Sequence, residues 1–417
     1  MRFSFQAHGL LRDSLLLLVL SQFGNAANLL YQMFMARNLS PDEYSVLVAL
    51  LGMALILATP TQALVASVAH YSARFLQSGR GGDIRRLLLF WARRTACVVL
   101  PLGLLALVFH TQIAAFYNLE RPHAVWVMIL IFVLTPFHPL LTGVFQGMQS
   151  FFWMAMMGCA FGWLKLGLGI LLVTLVSSTA AAGLLAQSLS FMLCIALGTG
   201  VVLYRLQGLS PTDGPLPASH AYFFKSCIIL TAFGVLASLD MTLVRRFLPE
   251  QAGQASYAFQ LARMVIFLPM PVAMALFPKV TSQDAFREED RRHLRQAMLY
   301  AILIMGGVVG GGLLMPRLAL RILGARTIDA QLIRWLRLAL LALSPLGFSH
   351  LLVNFELAQH RFSLLPGAVL LAAAFVGGVW IWHDTVDQVI AVLAVCSTAF
   401  MAMALWALPR GASPDEL

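Results

Sequence analysis

The sequence predicts an all-α membrane protein. About twelve transmembrane helices are expected, arranged as two six-helix bundles related by a pseudo-twofold axis around a central cavity. Three observations predict this. First, the 417 residues are 60% apolar and only 11% charged, with a mean hydropathy of +0.82, whereas a soluble domain is about half apolar and a quarter charged. Second, apolar runs of about 20 residues, the length a bilayer core demands, recur along the whole chain. Third, the chain echoes itself. Gln22-Phe23-Gly24 answers to Ala232-Phe233-Gly234, Leu134-Thr135-Pro136 to Leu343-Ser344-Pro345, and Leu140-Leu141 with Phe151 to Leu351-Leu352 with Phe362, at offsets of 209 to 211 residues.

Taken in order, the expected spans are 11–36, 45–69, 87–109, 124–147, 152–176 and 181–204, then 222–247, 257–280, 297–323, 332–356, 363–382 and 386–408. The runs are long and do not alternate, which argues against strands. The first is too long for a cleaved signal and shows no small-x-small cut site, so a permanent span is expected. Leu209 to Ser219, with Pro211, Gly214, Pro215 and Pro217, reads as a linker between the sixth and seventh spans. The expected units are therefore 1–208, 209–219 and 220–417. With an even number of spans in each unit, both enter from the same side, and the symmetry axis stands along the membrane normal. Duplicated apolar bundles of this kind most often transport.

The formal net charge of +10 reads as topology rather than nucleic-acid binding. Seventeen Lys and Arg fall in loops and tails on the side of both termini, among them Arg74, Arg80, Arg85 and Arg86. The opposite side carries nine: Arg37, Arg121, Arg245, Arg246, Arg317, Arg321, Arg326, Arg334 and Arg337. The bias places both termini inside. The arginines of 317–337 are the exception and are expected to form an amphipathic helix end or to line a cavity mouth.

Polar groups inside spans are costly and should face the interior. Ser21, Asn25, Asn28 and Gln32 share one helix face, as do Thr135, His138, Thr142, Gln146 and Gln149. Both stripes suit either interhelical packing or a solvated wall. Lys165 sits mid-span, Arg263 follows Gln260, and Asp240 lies in the seventh span. Asp240 is read either as a structural bridge to Arg263 or Lys165 or as an ion-coupling group. The two cations suit an anionic substrate. Pro60, Pro136, Pro139, Pro269, Pro271 and Pro345 are candidate kinks. The run Gly306 to Gly312 reads as a close-packing seam. Five cysteines, none in a CxxC pair, read as small packing residues. There is no GxxxxGK[ST] loop, metal-ligand spacing or nucleophile–base pair, so no cofactor, metal or enzymatic activity is expected. Gly79 to Arg86 loosely resembles a major facilitator loop, but lacks its second glycine and has the arginines out of register.

Four segments carry a further resemblance. Ala36-Arg37-Asn38-Leu39-Ser40-Pro41-Asp42-Glu43-Tyr44 resembles the "AR-x-L-x-P-x-x-Y" ending of the first span in Wzx-type polysaccharide-unit flippases of the multidrug/oligosaccharidyl-lipid/polysaccharide (MOP) exporter superfamily. Phe145-Gln146-Gly147-Met148-Gln149-Ser150-Phe151 resembles that family's "QG-x-x-x-F". Asp240-x-x-Leu243-Val244 and Phe277-Pro278-Lys279 resemble its "D-x-x-LV" and "FP-[KR]". Ser45 stands where a glycine commonly follows the tyrosine.

The resemblance implies alternating-access export of a polyprenyl-pyrophosphate-linked oligosaccharide across a bacterial inner membrane. Uphill movement would need an ion gradient, and a polysaccharide polymerase and glycosyltransferases are the expected partners. The resemblance assigns the pyrophosphate to Lys165 and Arg263, with Arg37 at the outer mouth and Arg74 at the inner one. Asn25, Asn28, His138 and Gln146 line the path, and Asp240 is the ion-coupling candidate. The alternatives are a drug/cation antiporter of the same superfamily, which would want an acidic cavity, and a non-transporting scaffold of a polysaccharide assembly complex.

Overall fold

The computed structural model describes residues 7–119, 122–212, 220–267, 288–359 and 361–407. All regular structure among them is helical. Eleven elements begin before the connector or just after it: α1 (Ala7–Asn38), α2 (Pro41–Ala58), α3 (Thr61–Gln77), α4 (Asp83–Val108), α5 (His110–Phe116), α6 (His123–Leu134), α7 (Phe137–Gly147), α8 (Phe151–Leu175), α9 (Ala180–Arg205), α10 (His220–Ser238) and α11 (Asp240–Phe247). Seven follow: α12 (Pro249–Ala262), α13 (Met264–Phe267), α14 (Glu288–Leu314), α15 (Pro316–Leu323), α16 (Ala330–Ala358), α17 (Leu365–Ile381) and α18 (Val386–Trp406). Helix occupies most of the described residues of each expected span, with breaks inside several of them. Among the described residues, seven helices or joined helices are long and apolar enough to cross a membrane, nine if each bent pair is one span. The chain is a multi-pass membrane protein.

Local chemistry explains most boundaries. Ser40 accepts from the Glu43 amide at 3.2 Å and Pro41 opens α2, where a missing N–H costs nothing. Thr179, Asp329 and Thr385 cap α9, α16 and α18 in the same way. Asp329 accepts from the Leu332 amide and from Gln254, and these bonds hold its carboxyl below the usual range. Pro60 and Pro136 do break their spans, separating α2 from α3 and α6 from α7. In each case the preceding threonine donates to the carbonyl four residues back, at 2.7 Å. Pro345 lies inside an unbroken α16 and Pro139 inside α7. Pro269 and Pro271 lie outside the described residues, as does the Phe277-Pro278-Lys279 segment.

Two expectations need correction. The ninth span does not continue to residue 323. It stops at Leu314, and α15 leaves at 98°. Pro316 forces Met315 out of the helical region, to φ −125°, ψ 51°. The run Gly306 to Gly312 is not a close-packing seam. Among the described residues, a Cβ on Gly306, Gly307, Gly310 or Gly311 would meet nothing within 4 Å, and only Gly312 abuts Leu340. The close seam is instead between α1 and α8, where a Cβ on Gly162 would stand 2.6 Å from the Gly24 carbonyl.

Two packed groups result. The helices up to α9 pack on one another around α8 and α9, and those from α10 pack around α16 and α18. Helix α2 joins them, packing against α9 on one side and α10, α11 and α12 on the other. At the Ser40 end of the molecule the two groups are bound tightly. Buried Arg245 pairs with Asp42 and donates to Ser45 Oγ at 2.9 Å and the Tyr117 carbonyl at 3.0 Å. Arg326 donates to the carbonyls of Arg37 and Leu39, both at 3.1 Å, and Tyr257 to that of Ala36 at 3.2 Å.

At the Gly81 end, the Gly79 to Arg86 segment has a plain structural role. Asp83, fully buried, accepts from Arg80 at 2.8 Å and from the Thr212 amide at 2.9 Å. A Cβ on Gly82 would stand 2.1 Å from the Ser210 carbonyl. The segment therefore clasps the start of the connector between the two groups.

Candidate functional site

Lys165 is placed by the α1–α8 seam. Glycines 24, 162 and 169 let the two helices approach closely, and Tyr31 fills the space beside Gly169. The Tyr31 hydroxyl donates to the Gly183 carbonyl of α9 at 2.9 Å, which fixes its ring. Lys165 Nζ stands 4.3 Å from the centre of that ring. The lysine is only 6% exposed, and among the described residues no carboxylate lies within ion-pair distance of it. A cation–π contact contributes on the order of 2 kcal/mol at most in such a site. Burying an ammonium costs several kcal/mol. Lys165 is thus a buried amine with N–H groups to give, and its charge is under-compensated whenever it is protonated.

The second cluster sits at the break between α10 and α11. Asp240 is fully buried and ion-paired with Arg263, itself 5% exposed. Asp240 Oδ1 also accepts from the Met241 amide at 2.7 Å, and Arg263 donates to the Ser238 carbonyl at 3.2 Å. Gly52 of α2 makes room, since a Cβ there would stand 2.6 Å from that same carbonyl. Of the two bridges expected for Asp240, the structure has the one to Arg263. Asp240 Oδ2 and Arg263 Nε remain buried without partners.

Beside Ser238 lies a cavity of about 70 Å³ between the two helical groups, room for on the order of two waters. Leu55, Thr59 and Gln62, from the α2–α3 break, face Phe233, Ser238 and His350 across it. His350 stacks on Phe233 at 4.7 Å, and both its ring nitrogens are buried without partners. His350 is a candidate that the sequence does not single out. Its signal is weak: a histidine one turn beyond the Ser344-Pro345 step.

The remaining expected residues spread along the molecule. Asn28 lies near Gly162, one turn from Lys165, and donates to the Gly24 carbonyl at 3.2 Å. Asn25 is exposed and bonded to Gln22. His138 is half-buried between the rings of Phe161 and Phe191, and Gln146 is half-buried on α7. Thr135 and Thr142 donate to carbonyls of their own span, so that stripe is in part self-satisfied. Arg37 is exposed at the Ser40 end, donating to the Ile322 carbonyl at 2.9 Å, and Arg74 is exposed on the last turn of α3. Lys165 with Asn28 and Arg263 with Asp240 belong to separate packing sites, the first against α1 and α9, the second against α2, α10 and α12.

No family model matches the chain, and no curated protein matches it. Solved structures do. A multidrug resistance MATE family transporter of the MOP superfamily in an inward-facing conformation is similar at TM-score 0.65 and 16% identity, over 94% of this chain and 97% of that one. One in an outward-facing conformation is similar at TM-score 0.63 and 15% identity, over 95% and 94%. A MOP superfamily transporter from Pyrococcus furiosus, described as having a binding pocket of reversed polarity, is similar at TM-score 0.65 and 16% identity, over 97% and 98%. The chain has the fold of these transporters over nearly its full length.

Proposed function

We propose that the chain is an alternating-access exporter of a lipid-linked oligosaccharide, with the phosphate groups of the cargo held by buried cations. Units 1–208 and 220–417 are the two bodies that rock against each other about α2, with 209–219 as their connector. Neighbours of the same fold described as inward-facing and outward-facing support the rocking motion. The observation that carries the cargo reading is Lys165, a buried amine facing an aromatic ring with no carboxylate in ion-pair distance among the described residues. A site for a cationic drug would place an open carboxylate there instead. The one acid found deep among the helices of the second cluster, Asp240, is already taken by Arg263.

Asp240 is the coupling candidate through that pairing. A proton or metal cation at its unpartnered Oδ2 would loosen its hold on Arg263 and release the guanidinium toward the cargo. In this reading the membrane is a bacterial inner membrane, and the excess of cations at the Gly81 end supports cytoplasmic termini. Arg74 then meets the headgroup first and Arg37 last, with Asn25, Asn28, His138 and Gln146 along the way. A polymerase and glycosyltransferases would act on either side of the step.

The test is binding of a polyprenyl pyrophosphate disaccharide to the purified chain, together with surface polysaccharide in cells that depend on it. Lys165→Ala should weaken binding about tenfold or more, the range for losing a hydrogen bond to a charged group. Export should fall with normal expression, and Lys165→Arg should retain part of both. Unchanged binding and export in Lys165→Ala would sink the reading. Transport of a cationic drug that survives Lys165→Ala and is lost in Asp240→Asn would favour the antiporter.

A further inference from the structure

The arginines of 317–337 oppose the charge bias of the rest of the chain, and the structure shows where they go. Because Pro316 turns the chain through 98°, α15 runs across the ends of the spans instead of along them. Between α15 and the first turns of α16 lies a groove of about 620 Å³. Arg317 enters it from α15. Arg334 and Arg337, three residues apart on one face of α16, enter from the other side. Its apolar lining comes from Leu314, Met315 and Ile333. Leu314 is 82% exposed and Met315 61%, so this lining opens outward rather than into the protein.

The depth of the groove is marked independently. Trp380 and Trp382, at the same end of the molecule, are 55% and 57% exposed, as expected of tryptophans at a membrane–water interface. Arg334 reaches Asp387, a few residues beyond them, at 3.3 Å. Asp387 is the one carboxylate among the described residues within ion-pair distance of the three arginines. Arg317 and Arg337 have no such partner.

We propose that this groove binds the phosphate of an anionic phospholipid from the leaflet at the Ser40 end, with its tails lying on Leu314 and Met315. Two unpaired guanidiniums beside open hydrocarbon suit an amphiphile: the forks take phosphate oxygens bidentately, and the exposed apolar lining takes a chain. A free anion would use only the first half of that chemistry. The site is separate from Lys165 and Arg263 and needs no assumption about the cargo. It explains why arginines collect on the side the charge bias disfavours: there they hold a lipid and brace the turn between α14 and α16.

The experiment is lipid titration of the full chain in detergent, read by native mass spectrometry, with phosphatidylglycerol, phosphatidylcholine and inorganic phosphate as probes. The first phosphatidylglycerol should bind more tightly than phosphatidylcholine. Arg317→Gln and Arg337→Gln should each weaken it about fivefold, the worth of one cation near a membrane surface. The exposed pair Arg85→Gln/Arg93→Gln, at the opposite end, should leave the first lipid in place. The proposal is overturned if both lipids bind equally, if the Arg317→Gln/Arg337→Gln chain keeps the first phosphatidylglycerol while the Arg85→Gln/Arg93→Gln chain loses it, or if inorganic phosphate displaces the lipid.

Discussion

Lys165 and Arg263 are about equally buried, but their charges are handled in opposite ways. Arg263 is neutralised by Asp240, and a backbone carbonyl takes a second N–H. Lys165 has only a ring face. The difference predicts opposite responses to substitution. Asp240→Asn leaves Arg263 buried with an uncompensated charge and should cost roughly 3–5 kcal/mol, read as a lowered Tm in detergent. Removing both charges, as in Asp240→Leu/Arg263→Met, should recover most of that loss, because an apolar pair of similar volume is often neutral. Unchanged stability of Asp240→Asn would show that the pair is not the structural centre described here. Lys165→Met, which removes an uncompensated charge, should hold or raise Tm. The charged residues were legible in the sequence because each interrupts a long apolar run. Their partners were not, since nothing local links Arg245 to Asp42 across 203 residues or brings His350 to the wall of a cavity.

At the scale of elements, hydropathy located the helical stretches and Thr-Pro steps marked two of the breaks. Hydropathy failed where packing, not polarity, decides. The run Gly306 to Gly312 has the spacing of a seam, but among the described residues only its last glycine meets a neighbour, while Gly24, Gly162 and Gly169 form the close contact. Spacing fixes which residues share a face; it does not say what that face meets. This yields a paired prediction. Gly162→Ala drives a methyl to 2.6 Å from a backbone oxygen that cannot move aside. It should cost about 1–3 kcal/mol, as overpacking does, and shift Lys165 one turn away. Gly167→Ala, on the same helix with nothing within 4 Å, should instead stabilise by up to about 1 kcal/mol through helix propensity. Thermal unfolding of the two variants checks both signs, and equal effects would remove the seam from the argument.

For the whole molecule, the contacts between the two helical groups are distributed unevenly. The Ser40 end holds Arg245 with Asp42, Arg326 with the α1–α2 turn, and Asn118 donating to the carbonyls of Arg245 and Arg246 at 2.9 and 3.2 Å. The Gly81 end is tied by the connector and its Asp83 clasp. The proposed rocking motion would have to break the first set to expose the interior on that side, while the second set could persist as a tether. Arg245 is the member to remove: it is 3% exposed and bonds to Tyr117, Ser45 and Asn118 as well as Asp42. Losing hydrogen bonds to a charged group costs about 1.5–3 kcal/mol, and 1.4 kcal/mol is a tenfold change in a two-state population. Arg245→Gln should therefore raise the fraction open at the Ser40 end about tenfold. A cysteine introduced at the buried Val46 of α2, in a chain whose own cysteines are replaced, would report it through faster labelling by a membrane-impermeant thiol reagent. Asp83→Asn, at the other end, should leave that rate unchanged. Equal labelling with and without Arg245 would mean that the Ser40 end is held shut by the packing of α2 itself, and that rocking about that helix is not how the interior is exposed.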